Sequence, residues 1–173
     1  MMEDYILTVT SEIKAWTANV LPGEAEDFMR KTSEMARNSG SQVLVLKGDL
    51  VFGSDHVRSA FYHARKAIEE GRNASDSIAM ETLLYSSGER QLSAAIKKMS
   101  VDKETESVAV VNLSGAHLKP GQDWREMPRI PSAVDPADLR RFGISDSELG
   151  TVSEERAVEL VLERVAAVDI LKK

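Results

Sequence analysis

Hydrophobic positions recur with two periods along this chain, and the switches between them mark its elements. Residues 5–9 are a short β-branched and aromatic run that predicts a first strand. Pro22 and Gly23 open a helix over 24–38, which Asn38-Ser39-Gly40 closes. The continuous apolar run 42–46 (QVLVL) predicts a buried strand. Residues 50–52 either pair as a short strand or lead into the next helix. Ser54 suits the N-cap of a helix reaching about residue 70, with Gly71 as its stop. Val57, Ala60, Phe61, Ala64 and Ile68 give that helix one apolar face. A further helix covers 76–86. Gly88 breaks it, and an amphipathic helix over 89–99 follows, turning Leu92, Ala95, Ile96 and Met99 inward. The run 107–113 (SVAVVNL) is a strong strand. Residues 118–136 hold four of the five prolines and predict a long irregular connection or inserted excursion. A short helix over 138–142 stops at Gly143, and Ser153 starts the last helix, with Glu154 and Glu155 suited to its dipole.

Strands and helices do not alternate regularly. The expected fold is therefore α+β, one domain over 1–173, with a small mainly antiparallel or mixed sheet packed against several helices. A chain of 173 residues can bury a substantial core. Its 42% apolar and 29% charged residues are ordinary for a soluble globular protein. The net charge of −6 confines any contact with nucleic acid or anionic membrane to a local patch. There is no cysteine, which excludes disulfides, thiolate zinc sites and cysteine nucleophiles and suits a reducing, cytoplasmic setting. The acidic N-terminus does not read as a secretory leader, and charges interrupt the last apolar run, so no membrane span is expected.

Catalytic spacing is nearly absent. No dinucleotide fingerprint, Walker A loop or nucleophile elbow is present. His56 and His63 lie seven apart on one helix, too far to chelate one metal as an i, i+4 pair. No carboxylate pair sits in an apolar context that would tune an acid against a base.

Three surfaces invite a functional reading. Arg58, Arg65 and Arg72 recur every seven residues, which stacks them along one helix side as a track for phosphates; the competing reading is a solvated face with Arg65 paired to Glu69. The turn Ser87-Gly88-Glu89-Arg90-Gln91 offers free N–H groups at a helix start and a guanidinium in the first turn, where the macrodipole does not favour it. Arg90 can pair with phosphate or stack on a base, and Gln91 can read a base edge. The alternative is local capping by Gln91, with Arg90 paired to Glu81. Residues 56–98 carry seven Lys/Arg against five Asp/Glu, so positive charge is local to this region. The last helix spreads apolar residues over about half its circumference, more than one core contact needs. It either docks a partner or is buried between neighbours.

The run Met80, Glu81, Leu83, Ser87, Gly88, Arg90, Gln91, Ala95 and Ile96 resembles the signature of the small regulatory subunit of the KEOPS complex, the PRPK-binding protein family. His56, Ala60, Ala64 and Ala67 match the family's preceding helix. The similarity extends from about Ser41 to the end of the chain, with the Pro-rich stretch outside the pattern. The resemblance implies a non-enzymatic α+β subunit without a cofactor. It implies docking on the complex's atypical kinase, which acts as an ATPase, and capture of the single-stranded 3′ CCA end of tRNA for threonylcarbamoyladenosine modification. Ser87, Gly88, Arg90 and Gln91 become the candidates for that RNA contact. Arg65, Lys66 and Arg72 join them by charge and nearness. Val161, Leu162, Val165 and Val168 become the candidates for the kinase contact. Two rivals stand beside this reading: a kinase adaptor with no RNA contact, and a metal-free enzyme with a deep pocket joining His56 and Glu81.

Overall fold

The computed structural model describes residues 13–115 and 117–172; the strand expected at 5–9 lies outside them. In chain order these residues form β1 (Lys14–Asn19), α1 (Ala25–Asn38), β2 (Val43–Lys47), α2 (Ser54–Glu69), α3 (Ile78–Ser87), α4 (Leu92–Met99), β3 (Ser107–Asn112), β4 (Arg125–Glu126), α5 (Pro136–Phe142), α6 (Asp146–Leu149) and α7 (Ala157–Leu171). The fold is α+β, as the irregular order of elements implied.

β3 explains the arrangement. Its five residues Val108 to Asn112 are all buried, because it is paired on both edges and covered on both faces. A strand in that position reads as a continuous apolar run rather than an alternating one. β1 and β2 flank it, both antiparallel to it, from Lys14↔Asn112 and Val43↔Asn112 onward. The full order is β2-β3-β1-β4. Alternate side chains then separate two cores. Ala15, Leu44, Leu46, Ala109 and Val111 face the larger one, built with α2, α3, α4, α5 and α7. Trp16, Ala18, Val45, Val108 and Val110 face the smaller one, closed by Ala25 and Ala36 of α1 and by Leu118.

α1 packs one face while its exposed side carries Arg30–Asp27, Lys31–Asp27 and Arg30–Glu34 pairs at helical spacing. α3 is the inner helix: everything from Glu81 to Ser87 is buried. α7 completes the larger core with Ala157, Val158, Leu160, Val161, Val165 and Val168.

Local geometry refines the expected elements. Gly53, with φ +94°, holds the N-cap of α2, and Ser54 is its first residue. A side chain on Gly53 would meet the Arg129 carbonyl. Residues 48–50 make a single 3₁₀ turn that leads into that helix, the second of the two alternatives for this stretch. α4 starts at Leu92, three residues later than expected, because the chain stays extended through Gln91; Ile96 is 39% exposed rather than turned inward. The Pro-rich stretch is the long irregular connection expected at 118–136, and it packs against the rest of the fold. Glu126 pairs with Trp16, Leu118 and Met127 are buried, and the carbonyls of Pro128 and Arg129 accept from the N–H groups of Ser54 and Asp55 (2.8 and 3.1 Å) at the start of α2.

Candidate functional site

The turn between α3 and α4 is held from both sides. α3 stops because Gly88 takes a left-handed conformation (φ +69°), with its N–H on the Tyr85 carbonyl at 3.1 Å. The last carbonyls of a helix need partners from outside it. Here side chains supply two of them. His56 Nε2 donates to the Ser86 carbonyl at 2.8 Å, and Lys98 Nζ donates to the Ser87 carbonyl at 2.6 Å. The Phe52 N–H donates to His56 Nδ1 at 3.1 Å, which fixes the tautomer with the proton on Nε2. The imidazole is fully buried between Phe52 and Phe142, and burial pushes it down to about 4. Lys98 lies 4.1 Å from the Phe142 ring centroid and 3.2 Å from Glu89 Oε1. Burial lowers its pKa too.

Beside this turn opens a cavity of about 260 Å³, lined by Gly88, Arg90, Lys98, Phe142, Arg164 and Leu171 among others. Three cations from three segments converge on it. Lys98 is paired with Glu89. Arg164 pairs with Glu148 at 2.5 Å, which together with the Ser145 N–H and hydroxyl drives that carboxyl down to about 2. Arg90 is exposed and has no hydrogen bond or ion pair with any described residue. It sits two residues before α4, not in its first turn, so the macrodipole argument does not apply to it. Gln91 is itself the N-cap of α4, exposed and with no side-chain capping bond. Glu81 does not reach Arg90.

The other expected residues distribute differently. The Ser87 hydroxyl faces inward, donating to the Leu84 carbonyl (2.6 Å) and accepting from the Glu89 N–H (3.0 Å). The arginine track does not form. α2 ends at Glu69 and Gly71 turns the chain at φ +67°, so Arg72 leaves the helix. Arg72 binds Glu70 and Asp169, Arg65 pairs with Glu69 at 3.4 Å, and Arg58 donates to the Ile13 carbonyl at 3.3 Å. The Lys66 ammonium has no partner among the described residues, and the residue is exposed. On α7, Val161, Val165 and Val168 are completely buried in the chain's own core, and only Leu162 of the four candidates is partly open. The apolar residues this helix leaves outside are Ala166, Ile170 and Leu171.

His56 and Glu81 do not share an open site. Glu81 is fully buried, its Oε2 accepting from the Ala74 and Ser75 N–H groups (3.0 Å each) and its Oε1 bound by Lys172 Nζ. Lys172 lies 4.7 Å from the Tyr85 ring centroid. The Tyr85 hydroxyl donates to Asp169 Oδ1 at 2.5 Å, and His63 Nδ1 holds Asp169 Oδ2 at 2.7 Å. Burial and Asp169 push Tyr85 upward. The network ties α2, α3, α7 and the 70–77 loop together. Sequence pattern missed Arg164 and Leu171 as cavity residues, since nothing local in α7 marks which side meets the turn.

These features describe a small α+β protein whose polar cavity is edged by a free arginine and whose last helix leaves apolar side chains outside. The chain belongs to the CGI-121 kinase binding protein family, whose model matches residues 23–134. The matched span takes in α1 and the Pro-rich stretch through residue 134, which the sequence resemblance had left out, and stops before α7. No curated protein matches the chain. Among the described residues no helix is long and apolar enough to cross a membrane, and no group of acidic and histidine side chains has the arrangement of a metal site.

Proposed function

We propose that this chain is the small KEOPS subunit that binds the atypical kinase and recruits tRNA by its 3′ CCA end, in the cytoplasm, for threonylcarbamoyladenosine modification. The observation that carries the reading is the cavity at the Gly88 turn, with Arg90 free at its edge. At about 260 Å³ it falls below the roughly 300–1,000 Å³ of sites for drug-sized ligands. That suits part of one unstacked nucleotide, a base or a phosphate, rather than folded RNA. Gly88 permits close backbone approach, Arg90 supplies a planar cation for phosphate or for a base face, and Gln91 offers an amide to a base edge. Ser87 is buried, with its carbonyl held by Lys98, and serves to position the turn; Lys66 is the one member of the outer basic set left unpaired for the RNA backbone. Holding the 3′ end raises the effective concentration of the tRNA body near the catalytic subunit. Leu162, with Ala166 and Ile170, is the part of α7 offered to the kinase, supported from inside by Val161, Val165 and Val168.

The pairing of Lys98 and Arg164 with carboxylates favours a second reading, a kinase adaptor without RNA contact. Titration of the chain with tRNA at two salt concentrations separates them. Under the RNA reading, Arg90→Ala weakens binding by about 1–3 kcal/mol and flattens its salt dependence. Under the adaptor reading neither protein binds.

A further inference from the structure

A second concavity, of about 690 Å³, lies between the 131–136 segment, α6 and the start of α7. Its floor is apolar. Val134, Leu149 and Val152 are each only partly buried and rest against the core below, so a further apolar group set upon them would remove more of their surface from water. Pro131 and Pro136 stiffen one wall. The rim is acidic. The Glu154 and Glu155 carboxylates are exposed and make no ion pair or hydrogen bond with any described residue, whereas the one lining cation, Arg140, is already held by Asp146 at 2.7 Å. Two negative charges therefore stand uncompensated beside an apolar floor. The start of α7 accounts for a mild preference for acids there, but not for the half-covered valines and leucine.

We propose that this groove docks a segment of a partner protein that carries apolar anchor side chains flanked by Lys or Arg. The volume accommodates several side chains, and the rim selects for positive charge. A second copy of the chain fits badly, since a two-fold contact would set Glu154 and Glu155 against their own copies. The groove is separate from the Gly88 turn: it takes Ala157 and Val158 from the first turn of α7, whereas the turn cavity takes Arg164 and Leu171.

The test is to pan a displayed library of random peptides on the full chain and to titrate the enriched peptides, synthesised and fluorescent, against variants. Expected are peptides with aliphatic or aromatic anchors between basic residues. Their binding should disappear in Val152→Asp and fall about tenfold in the doubly charge-reversed Glu154→Lys/Glu155→Lys protein. The double variant alters exposed positions only, so it keeps the test decisive should Val152→Asp fail to fold. Peptides that bind wild type and double variant equally, acidic enriched sequences, or no enrichment over scrambled controls would overturn the proposal. So would wild-type self-association that Glu154→Lys/Glu155→Lys alters, which would make a second copy the occupant.

Discussion

Replacing His56 with glutamine should flatten the acid side of the protein's stability profile. The imidazole is fully buried, both ring nitrogens are engaged by backbone groups, and burial holds it near 4 instead of the ordinary 6.5. A base whose folded pKa lies below its unfolded one stabilises the native state fully above the unfolded value. That stability is lost as the pH falls towards the folded value. Protonation of the native ring would also place an N–H opposite the Phe52 N–H. Between about pH 7 and pH 5 the unfolded chain takes up most of a proton at this position while the native state takes up little, which costs about 2 kcal/mol; the limit at lower pH is about 3 kcal/mol. The carboxylates whose pKa values are lowered, such as Glu148 and Asp169, titrate below this window. Urea unfolding of wild type and His56→Gln at the two pH values measures the effect. The variant is less stable at neutral pH, yet wild type should lose about 2 kcal/mol more than the variant on acidification. Parallel losses would refute the assignment of a neutral, doubly engaged imidazole at the end of α3.

Other perturbations test other parts of the structure. Glu81→Gln leaves the Lys172 ammonium buried without its charge partner and should cost about 3–5 kcal/mol by urea unfolding; Glu81→Gln/Lys172→Met should cost less than the sum of the single changes, and strict additivity would contradict the pair. Gly88→Ala forces a side chain into a left-handed conformation, 3.2 Å from Arg164 Cβ, and should destabilise by about 1–2 kcal/mol in thermal melts while weakening RNA binding through displacement of Arg90. Val165→Asp should abolish folding. Ile170→Asp, at a position 70% exposed, should change stability by no more than about 0.5 kcal/mol yet weaken capture of the kinase in a pull-down.

Periodicity revealed the framework of this fold where packing is one-sided or complete. The spacing of Val57, Ala60, Phe61 and Ala64 located α2, and the apolar runs located β2 and β3. β4 was hidden because Arg125 and Glu126 are exposed, flanked by prolines in the sequence, and join the sheet only through backbone bonds to β1. α6 did carry a local signal, the Ser145–Glu148 capping box, in a segment too short to show a period. The start of α4 carries no side-chain signal, because Gln91 caps it with backbone alone. In α7 apolar residues cover about half the helix circumference, and only packing against α2 and α3 decides that Val161, Val165 and Val168 belong inside. The basic track failed for a similar reason. Arg72 is claimed by Asp169, 97 residues away, a partner that no local pattern announces.

RNA capture at the Gly88 turn is tested by titrating the purified chain with two tRNAs, one intact and one trimmed of its CCA end. Tight binding of the intact tRNA that vanishes on trimming and falls for Arg90→Ala is expected. Equal binding of the two tRNAs, or binding of neither, would contradict it.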